Sequence, residues 1–215
     1  MDKRGAIFIA AGILAIFAVA GTALVAFTHA ATKARIEANE RETLLQNLHA
    51  LVPLETIDND MALDTLEISE PEQLGAPTTT VYRGRMQGDP VAAVLTTRVP
   101  NGYSGPIKLL VAVRYDGTLG GVRVISHKET PGLGDKVEER RSDWIYSFTG
   151  KSLGNPPLEK WKVKRDGGIF DQFTGATITP RSIVKAVKKT LIYVKDHQDA
   201  LYDKKSVSTG VAAEG

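Results

Sequence analysis

A short run of hydroxyl-bearing and small residues stands before a predicted helix near the carboxyl end of the chain. Thr177 follows the Thr-Gly-Ala sequence at 174–176, and Pro180 lies three residues further on. Thr179 suits the N-cap and Pro180 the first helical position, where a missing N–H costs nothing. Unpaired N–H groups at a helix N-terminus favour a phosphate. The residues alone therefore leave two interpretations open, a simple cap or a phosphate site.

A second candidate segment is the turn-forming sequence HKETPGLGDK at residues 127–136. Pro131 and Gly132 suit the central positions of a type II turn, and Gly134 permits another close bend. Such a turn could contact a ligand, or its residues could only shape and brace the bend. His127 could likewise transfer a proton or be structural, and Trp144 is expected in the core.

Composition excludes several kinds of chemistry. The chain of 215 residues has no cysteine, which excludes disulfides, thiolate nucleophiles and cysteine-ligated iron–sulfur clusters. Its four histidines are scattered without metal-ligand spacing, and no metal site is expected. Lys plus Arg total 27 against 25 for Asp plus Glu, and this balance predicts no nucleic-acid partner.

The elements that must position these residues begin with an apolar segment. Residues 5–32 contain no Asp, Glu, Lys or Arg. A bilayer core of about 30 Å requires about 20 apolar residues, whereas the apolar region of a signal peptide has about 7–15. We therefore predict a transmembrane helix over 5–31 after a short tail, 1–4. Basic residues flank both ends, so charge does not decide its orientation.

The rest of the chain predicts an α+β domain with a mainly antiparallel sheet and flanking helices. Residues 32–79 are expected to form an amphipathic helix, ended by Pro53, and an irregular acidic connector; a polar tail is expected over 199–215. Asp-Gly at 116–117 is a strong hairpin signal. The predicted strands are Thr80–Met86, Val91–Val99, Ile107–Tyr115 and Thr118–Ser126, and the predicted helices are Lys136–Phe148 and a helix from Pro180 with Ile183, Val184, Val187, Leu191 and Val194 on its buried face.

Residues 171–179, DQFTGATIT, resemble the D-x-x-[ST]-G-A-T-x-[ST] motif of FMN-binding domains that carry covalent flavin. The segment at 127–136, preceded by GYSGPIKLLVAV at 102–113, resembles the second hallmark of these domains. With the apolar N-terminus, the whole pattern is similar to the G subunits of the Rnf (Rsx) electron transport complex. The C subunits of the sodium-translocating NADH:quinone reductase are more distant relatives. The resemblance is strong over residues 102–188.

The resemblance implies that residues 80–198 form the FMN-binding domain. It also implies that FMN is joined through its phosphate to Thr177 by a separate flavin transferase, with FAD as donor, in the extracytoplasmic compartment. Asp171 is expected to assist the transfer or to brace the loop. The other expected cofactor-binding residues are Thr174, Gly175, Ala176, Thr179, Glu129, Thr130, Leu133 and Gly134.

The implied function is that of an electron carrier in a complex coupling ferredoxin–NAD electron transfer to ion translocation. Its expected partners are the other Rnf subunits, the flavin transferase and the lipid bilayer. The expected location is the bacterial inner membrane, crossed once, with the C-terminal domain in the periplasm. A flavin-free membrane-anchored assembly domain is the alternative. An independent flavin reductase is disfavoured because the chain has no G-x-G-x-x-G nicotinamide-binding sequence.

Overall fold

The computed structural model describes residues 3–203, in two compact units, Met1–Leu44 and Leu45–Gly215. Helix α1 runs without interruption over Lys3–Leu51. In the first unit its large apolar side chains are exposed, for example Phe8 at 76% and Phe17 at 73%. The mean hydropathy of its most apolar window is 2.5, so α1 is a candidate membrane span, as predicted. Met1 and Asp2 of the predicted tail lie outside the described residues, and Lys3 and Arg4 are already helical.

The second unit is built on a five-stranded antiparallel sheet whose spatial order follows the chain. The Asp-Gly hairpin is confirmed: Gly117 has φ +81°, and the Thr118 N–H donates to Asp116 Oδ1 at 2.8 Å. Glycines in the strands leave room for the end of α1, since a Cβ on Gly121 would lie 2.9 Å from Leu51. The strands are β1 (Thr65–Ile68), β2 (Thr79–Met86), β3 (Asp89–Val99), β4 (Ile107–Arg114) and β5 (Leu119–Ser126).

The prediction that the acidic segment before residue 79 is irregular was wrong. It contains the edge strand β1 and a short helix α2, Pro71–Leu74. The ion pairs of Asp64 with Arg83 and Arg85 join the start of β1 to β2. A four-residue strand is too short to show a clear alternation of polar and apolar residues. Its position therefore depends on partners distant in the sequence.

The predicted helix over Lys136–Phe148 is also absent from the described structure. Two 3₁₀ segments, Gly134–Val137 and Asp143–Phe148, take its place. Ser142 separates them, because its hydroxyl donates to the Lys136 carbonyl at 2.5 Å and accepts from the Trp144 N–H at 3.3 Å. A serine side chain that bonds nearby backbone competes with helix formation.

Helix α3 spans Ile178–Asp196 and packs against the sheet. The predicted buried face is confirmed, since its five residues are at most 3% exposed. The predicted N-cap is wrong: the helix starts one residue before Thr179, which lies buried in the first turn.

The short helix α4, Gln198–Tyr202, buries Leu201 and Tyr202, so the predicted polar tail begins later than 199. Residues 204–215 lie outside the described residues.

Candidate functional site

The Thr-Gly-Ala-Thr loop is a tight turn that leads directly into α3. The Ala176 N–H donates to the Phe173 carbonyl at 3.1 Å, and Gly175 has φ +81°. A positive φ at the third position alone defines a type II turn, which favours glycine there. Thr177, the residue before α3, is half-buried, and its hydroxyl forms no hydrogen bond with any described residue. Thr177 therefore presents a free nucleophilic oxygen at a helix N-terminus.

The turn predicted from Pro131 and Gly132 lies beside this loop. Its closing hydrogen bonds run from the N–H groups of Leu133 and Gly134 to the Thr130 carbonyl, both at 3.1 Å. A Cβ added to Gly175 would lie 3.4 Å from Leu133 Cδ2. Leu133 nevertheless keeps 42% of its surface exposed. The two candidate segments are thus adjacent, and an accessible apolar side chain stands at their junction.

A buried carboxylate, that of Glu129, connects the turn at 130–134 to the start of α3. Glu129 is only 5% exposed, and its Oε2 accepts a hydrogen bond from Thr179 Oγ1 at 2.5 Å. Its Oε1 accepts from the Ser104 N–H at 3.0 Å. A Cβ on either Gly134 or Gly102 would come within 2.7 Å of a Glu129 oxygen. Glu129 is therefore a brace between the turn and the start of α3. Gly102 and Gly134 are required because a larger residue would collide with Glu129, and not because their backbone has a positive φ.

His127 holds this brace in place. Its Nδ1 accepts from the Glu129 N–H at 2.9 Å, and its Nε2 lies 2.6 Å from Glu138 Oε1. The network assigns the proton to Nε2, so that the ring donates to Glu138. With both ring nitrogens engaged, the structural interpretation of His127 is favoured.

The other end of the loop is fixed by an aromatic residue. Trp144 Nε1 donates to the Asp171 carbonyl at 2.8 Å, and its ring lies edge-on to Phe173 at 5.3 Å. Trp144 is 8% exposed, which confirms its place in the core. The Asp171 carboxylate is 66% exposed and pairs with Lys164 Nζ at 2.5 Å. In the structure Asp171 thus contacts a lysine rather than a threonine of the loop.

An arginine on the first turns of α3 adds positive charge near the loop. Arg181 donates two hydrogen bonds to the Asp166 carboxylate, at 2.6 and 2.9 Å. These bonds, with the charge of the guanidinium, hold the pKa of Asp166 below its usual value. Gly102, Ser104 and Asp166 were not among the predicted site residues. Gly102 and Ser104 lie in the segment 102–113 that carries the family resemblance, and the glycines at 102 and 105 indicate a close approach there, whereas no local sequence signal indicated Asp166.

The described residues contain no cluster of three His, Cys, Asp or Glu side chains that could hold a metal ion. The site offers a hydroxyl without a hydrogen-bond partner in the described chain and small residues directly before α3, with the exposed Leu133 on the adjacent turn. A helix N-terminus of this kind suits a phosphate-bearing ligand. The fold and site define an FMN-binding domain, and residues 102–192 match the family model described by that name.

The N-terminal part identifies the family within this class. Residues 1–51 match the model of the RnfG N-terminal region. The G subunit of the ion-translocating oxidoreductase complex from Vibrio atlanticus is 46% identical, over 88% of this chain and 90% of its own length. The G subunit from Pseudoalteromonas atlantica is 46% identical over 88% of this chain and 89% of its own length. The G subunit from Vibrio cholerae is 43% identical over 92% of this chain and 95% of its own length. The chain belongs to this family of G subunits.

Proposed function

We propose that this chain is the electron-carrying flavoprotein subunit of a membrane complex that couples ferredoxin–NAD electron transfer to ion translocation. In this proposal FMN is bound covalently through its phosphate to Thr177. Family membership supports the complex and the flavin. The observation that carries the attachment is that Thr177, a half-buried residue directly before α3, has a hydroxyl without a hydrogen-bond partner in the described chain.

The states of the three neighbouring hydroxyls support Thr177 over the alternatives. Thr179 is fully buried and donates to Glu129, so its oxygen is neither accessible nor free. Thr174 is exposed, and three residues separate it from the first residue of α3, whereas Thr177 directly precedes the helix. Thr177 combines access, a free oxygen and the positive end of the helix dipole.

The attachment is a group transfer in which FAD donates its FMN part to Thr177. The Thr177 oxygen forms a bond to the FMN phosphorus while the pyrophosphate P–O bond breaks, and AMP leaves. The hydroxyl proton passes to a base of the transferring enzyme. The phosphodiester keeps one negative charge at the start of α3, where the helix dipole stabilises it. Attachment through phosphate leaves the isoalloxazine ring unaltered for electron transfer.

The remaining site residues have supporting roles in this proposal. Gly175 and Ala176 allow the ligand to approach the backbone, while Thr130, Leu133 and Gly134 form the turn against which the ring and ribityl chain rest. Thr174 bonds the phosphate, and Asp171 positions the loop or the metal of the transferring enzyme. In a second group, Glu129 and Thr179 hold the two segments together through their 2.5 Å hydrogen bond.

The proposed location is the bacterial inner membrane, with one crossing and the FMN-binding domain in the periplasm, where the flavin transferase acts. The exposed apolar surface of α1 in the first unit supports a lipid bilayer as its partner. The full chain should therefore remain with membranes after carbonate washing. Release into the wash would instead indicate a soluble protein.

Intact mass tests the covalent attachment directly. We expect protein coexpressed with a flavin transferase and exported to gain the mass of FMN less one water, relative to protein made without the enzyme. The gain should be absent from the Thr177→Ala variant. Identical masses for the two wild-type samples would contradict the proposal and favour a flavin-free assembly domain.

A further inference from the structure

A groove along α3 carries a local excess of positive charge. Arg181, Lys185 and Lys188 have the spacing that places side chains on one face of a helix. Together with Lys162 they line a groove of about 390 Å³, which we call the α3 groove. Asp166 is the single acidic residue among the described residues that line it. Four cations against one anion contrast with the net charge of +2 for the whole chain.

Most of this positive charge is not neutralised within the protein. Asp166 is already paired with Arg181 through two hydrogen bonds. Lys162, Lys185 and Lys188 form no ion pair with any residue of the described chain. Lys162 and Lys185 are exposed and Lys188 is half-buried. The α3 groove therefore presents ammonium groups to an external anionic surface.

The α3 groove begins one helical turn from the proposed attachment residue. The Arg181 N–H donates to the Thr177 carbonyl at 3.4 Å. On the preceding loop, Lys164 pairs with Asp171 of the same motif. A macromolecule seated in the α3 groove would therefore lie beside the Thr177 hydroxyl.

The composition of the α3 groove fits a transient protein partner. Its apolar floor, Trp161 and Val184, is only 2% and 1% exposed, so cationic side chains form the accessible rim. Permanent interfaces are apolar, and lysine is depleted from their cores, whereas charged surfaces steer short-lived encounters. An enzyme that loads the flavin must reach Thr177 and then leave. The described chain also provides no hydrogen-bond partner for the Thr177 hydroxyl, and in this proposal the enzyme supplies the base that activates it.

We propose that the α3 groove docks an acidic surface of the enzyme that transfers FMN from FAD to Thr177. This inference rests on the proposed covalent attachment and adds the surface through which the enzyme recognises its acceptor. Because the contact is electrostatic and solvent-exposed, it weakens as salt increases. The docking residues contribute to the KM for the acceptor protein and not to the chemical step.

The test measures flavin transfer to the full chain in phosphatidylcholine nanodiscs, with purified flavin transferase and FAD. Covalent fluorescence is followed at varied concentrations of the acceptor. We expect Lys185→Glu to raise the KM for the acceptor about fivefold or more, with kcat unchanged within about twofold. Lys195→Glu, an exposed lysine in the last turn of α3, is the matched control and should leave both values unchanged. Added NaCl should raise the wild-type KM and reduce the difference between wild type and Lys185→Glu.

Circular dichroism and thermal unfolding verify that both variants fold. Equal KM values for Lys185→Glu and Lys195→Glu would overturn the docking surface, as would a loss confined to kcat. An effect of Lys185→Glu that appears only when phosphatidylglycerol is added to the nanodiscs would assign the α3 groove to lipid instead. Absence of covalent flavin on the wild-type chain would overturn the attachment itself and, with it, this docking surface.

Discussion

Three threonines within six residues differ in what their hydroxyls can do. Thr174 is exposed, Thr177 is half-buried with a free hydroxyl, and Thr179 is buried and bonded to Glu129. A hydroxyl that already donates a short hydrogen bond inside the protein is not available for esterification. The surroundings of each oxygen, rather than its residue type, therefore distinguish a candidate nucleophile from a structural brace.

Replacing Thr177 tests this distinction. Thr177→Ala should abolish covalent flavin, because alanine has no hydroxyl, and should leave the fold intact. Thr177→Ser should be labelled less than wild type, because serine lacks the methyl group that restricts the rotamer. The measurement is fluorescence of the denatured band on a gel after coexpression with the transferase. Thr174→Ala serves as control and should keep some label; a dark Thr174→Ala band in a folded protein, or a fluorescent Thr177→Ala band, would show that the attachment site is misassigned.

The Thr179–Glu129 hydrogen bond makes a separate prediction about stability. Thr179→Ala should lower the free energy of unfolding by about 1–3 kcal/mol, because a buried carboxylate loses a partner. A double-mutant cycle with Glu129→Ala should give a coupling energy of about 0.5–3 kcal/mol, measured by urea unfolding. Thr179→Ser, which keeps the hydroxyl, should restore most of the stability. A coupling energy near zero would contradict the brace.

Among the turns, the one at residues 130–134 depends on a glycine for space. A Cβ on Gly134 would lie 2.7 Å from Glu129 Oε2 and 3.1 Å from Thr179 Oγ1. Gly134→Ala should therefore displace the brace and lower flavin loading. Gly154→Ala is the matched control, since a Cβ there meets nothing within 4 Å. Equal covalent fluorescence in these two variants, both folded by circular dichroism, would remove the turn from the site.

At the scale of the whole molecule, burial at the end of α1 predicts how far the N-terminus can be truncated without loss of the folded second unit. Leu48, Leu51 and Val52 are at most 3% exposed, so the end of α1 belongs to the core of the second unit. A chain beginning at residue 45 should be soluble and fold cooperatively. A chain beginning at residue 53 loses three buried side chains, each contributing about 1.5–3 kcal/mol, which is a large part of a stability of about 5–15 kcal/mol.

Urea unfolding followed by tryptophan fluorescence checks this prediction. Trp144 and Trp161, both buried, report on the folded state. Equal midpoints for the chains that begin at 45 and at 53 would show that the end of α1 is dispensable to the fold.

Much of the architecture could be predicted from local pattern. The apolar segment of α1, the Asp-Gly hairpin and the buried face of α3 each depend on residues close together in sequence. A run of apolar residues, a glycine at a positive φ and a 3.6-residue period have nearly the same meaning in any surroundings. The proximity of the turn at 130–134 to the loop at 173–176 could be expected only from the family resemblance, because no local pattern relates segments so far apart.

The tertiary structure alone decided the features that depend on distant partners. Strand β1 exists because it pairs with β2 next to the ion pairs of Asp64, although its four residues carry no clear pattern. Thr179 is a good N-cap by sequence, yet its hydroxyl bonds Glu129, which lies fifty residues away. Sequence thus determined which hydroxyl-bearing residues stand before α3. Folding determined that the Thr179 hydroxyl is bound to Glu129 while the Thr177 hydroxyl has no partner in the described chain, because a hydrogen bond is set by the position of its partner and not by residue type.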